Sequence, residues 1–76
     1  MPTLLRKDGY KFFFYVNERL PKHIHVSKGE RYAKIELETL FVVQNYFSKP
    51  ELRKVLDITK ANKEYFIKKW NEYFSR

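Results

Sequence analysis

The chain contains no cysteine. That excludes a disulfide framework and any thiolate metal site, and makes a reducing cytoplasm the expected setting. Glycine occurs twice and proline three times, so no Gly- or Pro-rich linker divides the 76 residues, and a single domain over residues 1–76 is expected. No apolar stretch approaches the roughly 18 residues that a bilayer span requires. The first ten residues include Arg6, Lys7 and Asp8 and lack an apolar run of signal-peptide length. A soluble protein without membrane association is the expectation.

Acidic residues are also in short supply, nine against sixteen Lys and Arg, for a formal charge of +7. The excess is evenly spread. Residues 1–38 hold eight bases and five acids, and residues 39–76 hold eight and four. It is therefore not a basic tail. It is either a solubilising surface or a preference for acidic partners, which means nucleic acid or an acidic protein.

Aromatic residues are abundant: seven Phe, six Tyr and one Trp, 18% of the chain. Each ring buries about 150–250 Å² when packed, so a few can build a core in a domain of marginal size.

The pattern predicts an α+β domain, a small antiparallel sheet of three to four strands against one long C-terminal helix. Strands are expected over residues 3–45 and the helix over residues 49–74. In Tyr10–Asn17, Phe12, Phe14 and Val16 share one face, while Lys11, Phe13, Tyr15 and Asn17 share the other. Asn17 to Pro21 reads as a turn. His23–Lys28 is a second strand, and Lys28-Gly29-Glu30 a hairpin connection to Arg31–Glu38, where Ala33, Ile35 and Leu37 alternate with Lys34, Glu36 and Glu38. Thr3-Leu4-Leu5 suits a short edge strand. Thr39–Phe47 fits either a fourth strand around Phe41, Val42 and Val43 or a loop. Ser48-Lys49-Pro50-Glu51 carries a capping box with Pro in the first turn. From there an apolar stripe runs from Leu52 to Phe74, weakening at Thr59–Lys63, where a bend is expected.

The stretch with most chemistry is Pro21-Lys22-His23-Ile24-His25-Val26. Two residues apart on a strand, His23 and His25 project from one face while Ile24 and Val26 enter the core. Paired imidazoles suit metal ligation, general acid–base work, or contact with a nucleotide. Metal is ranked last, because a site needs three or four ligands and no other His exists; Glu18, Glu36 or Glu38 would have to contribute. No metal and no cofactor is therefore expected. For acid–base chemistry on a phosphate, His23 and His25 are the catalytic candidates, with Arg6, Lys22 and Arg31 as cations near them. The bland alternative is that both imidazoles simply bond nearby backbone or carboxylates. Tyr15, within Tyr10-Lys11-Phe12-Phe13-Phe14-Tyr15, is a candidate for stacking on nucleic acid. Phe12 and Phe14 read as core, as does the cluster Tyr65-Phe66, Trp70 and Tyr73-Phe74.

These residues resemble a small bacterial domain-of-unknown-function family, four-one-six-zero (DUF4160). The resemblance rests on Met1-Pro2-Thr3, Gly9 to Tyr15, Asn17-Glu18, Pro21 to Val26, Gly29, Ala33 to Glu38, and Lys69-Trp70-Asn71-Glu72-Tyr73-Phe74. It spans nearly the whole chain. Its most specific element is Pro-x-His-x-His-Val combined with the Met-Pro-Thr start. Two departures stand out: Lys22 where many members have a second Pro, and Glu38-Thr39-Leu40 where many have a Glu-Pro-Val-like segment. Neither touches the histidines. What the resemblance implies is a partnership more than a reaction. Genes of the family often neighbour a second domain of unknown function, two-four-four-two, in arrangements like toxin–antitoxin cassettes. The expectation that follows is a cytoplasmic toxin-like component that binds or cleaves RNA and is held by a small antitoxin-like partner protein. The alternatives are a non-catalytic module that recognises a partner through its sheet, and third, a metal-binding domain.

Overall fold

The computed structural model describes residues 3–74, so Met1 and Pro2 of the opening motif lie outside the described residues. Five strands precede two helices: β1 (Thr3–Lys7), β2 (Tyr10–Phe13), β3 (His23–Lys28), β4 (Arg31–Glu36), β5 (Val42–Asn45), α1 (Lys49–Ala61) and α2 (Lys63–Phe74). The strands form one antiparallel sheet in chain order. The α+β class is as expected, with one more strand than predicted and with the helix divided in two.

Local chemistry accounts for each difference. Asp8 and Gly9 both take positive φ, 54° and 86°, which makes the Lys7–Tyr10 connection a tight hairpin turn that Asp-Gly suits well. This turn extends the expected edge strand as far as Lys7. β2 stops at Phe13, because the Tyr15 amide donates to Glu18 Oε2 (3.0 Å) and leaves the ladder. β4 stops at Glu36, whose amide donates to the Phe41 carbonyl (2.8 Å) and closes a loop leading into β5. The ambiguous Thr39–Phe47 segment is thus a loop and then a strand.

Ser48 caps α1 with the full reciprocal box to Glu51. The helix ends at Asn62, whose backbone (φ −113°, ψ 15°) leaves helical geometry while its side-chain amide donates to the Ile58 carbonyl (2.9 Å). α2 starts immediately after it. A polar residue that competes for helix carbonyls gives a break where the sequence suggested only a bend.

One face of the sheet is covered. Phe12, Ile24, Val26, Ala33 and Ile35 are fully buried there with Val55 and Phe66, and Trp70 is nearly so. Phe12 stacks on Phe66 (centroids 5.5 Å), and Phe14 meets Trp70 edge-on (5.4 Å). Because side chains alternate, Lys11, Phe13, His25, Lys34 and Gln44 project from the opposite face. No helix covers that face among the described residues.

Candidate functional site

The register of the β3–β4 hairpin fixes the centre of the site. Lys28 pairs with Arg31 across the turn, so His25 lies opposite Lys34 and His23 opposite Glu36. Phe13 of β2 flanks His25 on the other side. A row Phe13–His25–Lys34–Gln44 therefore crosses the uncovered face, with Lys11, Ser27 and Tyr32 in the next row.

The rings along this row touch. Phe13 stacks on His25 (5.6 Å, 25° between planes), and Tyr15 meets His25 at 4.5 Å. Lys11 Nζ sits 4.9 Å from the centre of the Phe13 ring, a cation–π contact. These neighbours leave Phe13 only 6% exposed although it lies on the open face. Tyr32 and Tyr46 pair beside them (4.7 Å), both exposed.

Glu18, on the loop between β2 and β3, joins the two imidazoles. Its Oε1 lies 2.8 Å from His23 Nε2 and its Oε2 2.8 Å from His25 Nε2. His23 Nδ1 lies 2.8 Å from the Pro21 carbonyl oxygen. The His25 contact is short but off the ring-nitrogen axis, so that buried nitrogen has no aligned hydrogen-bond partner. Burial pushes the Glu18 carboxyl up, but the Tyr15 amide and the two imidazoles outweigh it and hold the carboxyl below its ordinary value. Burial pushes His25 down, against the pull of Glu18, with His23 and Lys34 adding to the decrease. Glu18 is thus an anion held between rings.

The predicted residues fall into two groups. His23 and His25 come together, with Tyr15 against His25, although His23 is buried (4% exposed) beneath Trp70 (centroids 5.0 Å) instead of lying open beside His25. The covering indole explains this: His23 stands at the end of the sheet, where α2 folds over. Arg6 sits on the open face, paired in register with Lys11. Lys22 lines a cavity shared by Glu18 with Trp70, Asn71 and Phe74. Arg31 reaches the rim of the His25 cavity, yet its guanidinium bonds Glu51 of α1 (2.9 Å). Lys34 is the cation directly beside His25. It was readable from the hairpin, because a two-residue turn at Gly29-Glu30 makes paired residue numbers sum to 59 (28 + 31, 25 + 34). Glu18, named in the sequence only as one of three acids within reach, is the one that arrives.

No curated protein and no solved structure matches the chain. The model of the family described as domain of unknown function DUF4160 matches residues 9–71. That span holds β2, Glu18, both histidines, Lys34 and Trp70, the groups that build the site, and by this match the chain belongs to the DUF4160 family.

Proposed function

We propose that this protein binds single-stranded RNA on the uncovered face of its sheet, as the toxin-like component of a two-protein cassette. The observation that carries the reading is the row of rings and cations on that face. Tyr15 and Tyr32 offer exposed rings, His25 a partly exposed one, and Arg6, Lys11 and Lys34 lie among them, with Phe13 packed beneath as support. Glu18, the acid nearest the rings, is already engaged by two imidazoles and does not repel a phosphate as a free carboxylate would. Stacking of bases on rings with cations tracking the backbone is how sequence-tolerant single-strand binding works, at about 1–3 kcal/mol per stacked base. Of the two imidazoles, His25 is the one that borders this face. Any cleavage would therefore run through His25, while His23 supports from behind.

Fluorescence anisotropy with a labelled single-stranded oligoribonucleotide tests the binding. The expected result is micromolar or tighter affinity at low salt, weaker for a duplex, and reduced about tenfold by Lys11→Ala/Lys34→Ala. Equal affinity of wild type and this variant would overturn the assignment of the face. Induced expression in a bacterium tests the toxin-like role; harmless growth with wild type sinks that part.

A second reading, recognition of a small partner protein, is favoured by different residues. Val16, Leu20 and Phe41 are 69%, 74% and 62% exposed, and β5 leaves one edge of the sheet unpaired among the described residues. Capture of the neighbouring gene product that survives high salt and is lost in Leu20→Ser/Phe41→Ser supports it. Binding and partner recognition occupy different surfaces, so both can hold.

A further inference from the structure

We propose that Glu18, His23 and His25 form a binding site for one divalent transition-metal ion, with zinc the simplest fit. The three side chains each bring one donor atom, and all three donors lie within 4.8 Å of one another. His23 and His25 stand on one strand, which holds their spacing, while Glu18 comes from a loop that can adjust.

One buried polar atom there is left without a partner. The Pro21 carbonyl oxygen lies 2.8 Å from His23 Nδ1, where it can accept that nitrogen's N–H. Nε2 of the same ring lies 2.8 Å from Glu18 Oε1, so with Nδ1 turned to Pro21 it is this nitrogen that is placed to ligate. His25 Nε2 is buried, close to Oε2, and has no aligned partner. A buried polar atom without a partner calls for an explanation. A single cation accepting both ring nitrogens and the carboxylate gives His25 Nε2 the partner it lacks. The Pro21 contact is also the kind of backbone hydrogen bond that orients a ligating imidazole and sets its tautomer.

The donor set points to the metal. Two imidazoles and a carboxylate, with no thiolate in the chain, suit Zn²⁺, Co²⁺ or Ni²⁺ better than Ca²⁺ or Mg²⁺. Bonds of about 2.0–2.2 Å in a tetrahedral arrangement place donors roughly 3.3 Å apart. The two contacts of 2.8 Å would open by about half an ångström as the Glu18 side chain backs away. A cavity of about 380 Å³, lined by Glu18, Leu20, His23, Lys34 and Glu36, borders the site and leaves room for a fourth ligand from solvent. A metal with three protein ligands and one open position is the arrangement of catalytic zinc sites. The proposal stands independently of RNA binding.

Untagged protein, stripped with chelator and titrated with Zn²⁺ in a calorimeter, should bind one ion per chain. Co²⁺ should give the visible absorption of a four-coordinate site. Glu18→Gln and His25→Ala, each checked for folding by circular dichroism, should weaken Zn²⁺ binding at least about tenfold. Nitrogen NMR of wild type gives a measure that needs no variant: Zn²⁺ should shift Nε2 of both His23 and His25. Failure of the stripped protein to bind Zn²⁺ at about 100-fold molar excess overturns the proposal. Binding that leaves both Nε2 signals in place, or that Glu18→Gln and His25→Ala do not weaken, overturns it as well.

Discussion

Glu18 reaches forward five residues to meet His23, its Oε1 2.8 Å from Nε2, and this contact ties the loop after β2 to the first residue of β3. Both side chains are almost wholly enclosed, 8% and 5% exposed. The carboxylate also accepts the Tyr15 amide, so one side chain bonds the backbone where β2 ends and the His23 imidazole where β3 begins. Glu18→Ala removes all of these at once and strands buried groups. The expected cost is about 1–3 kcal/mol, read from urea denaturation in the presence of chelator. An unchanged midpoint would mean that the loop is held by something else.

Phe66 is the ring on which the sheet and α2 meet. It is fully buried and stacks on Phe12 at 5.5 Å. Phe66→Ala should cost about 3–5 kcal/mol. In a domain this small that approaches the whole stability, so loss of cooperative unfolding is expected. Phe41→Ser, at a ring 62% exposed, should stay within about 0.5 kcal/mol of wild type. Thermal melts of the pair measure the contrast, and similar losses for both would contradict the packing described.

The start of α1 gives a pH-dependent test. The Glu51 carboxylate accepts from the Ser48 backbone amide (3.1 Å) and hydroxyl, and the nearby Arg31 and Lys28 add to the effect that holds it below the ordinary value. A carboxyl whose value is depressed on folding stabilises the fold above its unfolded value, and that contribution disappears as pH falls through the folded one. Wild type should therefore melt higher than Glu51→Gln at pH 7, and the gap should close below about pH 4. Ser48→Ala, which removes the other half of the box, should cost about 1 kcal/mol. A gap between wild type and Glu51→Gln that persists at pH 3 would contradict this account.

Much of this arrangement was legible in the sequence, and for physical reasons. Period-two alternation placed Ile24, Val26, Ala33 and Ile35 in the core, and the capping box located the start of α1. Register is less visible, because it depends on a turn being counted. Once Gly29-Glu30 is taken as a two-residue turn, Lys34 faces His25; treating charge by proximity in sequence selected Arg31 and Lys22 instead, whose side chains turn to α1 and to the Trp70 cavity. Asp8-Gly9 announces a hairpin just as clearly, yet its strand partner is short and edge-placed. Two features lie outside what strand or helix periodicity shows. The helix break depends on how Asn62 spends its side chain, and the burial of His23 depends on Trp70, 47 positions along the chain, folding over it (70 − 23 = 47).

The sheet face itself predicts a salt dependence. If Arg6, Lys11 and Lys34 each neutralise one phosphate of a bound single strand, the logarithm of affinity should fall with the logarithm of salt at a slope of about −2, since each contact contributes about −0.7. Lys34→Ala should make that slope shallower by about 0.7 and weaken binding uniformly across sequences, because a phosphate contact carries no base information. Tyr32→Ala should behave oppositely: it removes a stacking ring, lowers affinity at every salt concentration, and leaves the slope unchanged. Tyr32 is 43% exposed and lies in the row beside Lys11 and Ser27, so its loss should leave the fold intact. Anisotropy titrations from 50 to about 300 mM salt on the three proteins separate the two kinds of contact. If Lys34→Ala and Tyr32→Ala lower the affinity alike and leave one common slope, the cations of this face are not paired with phosphates, and the positive charge of the chain serves only its solubility.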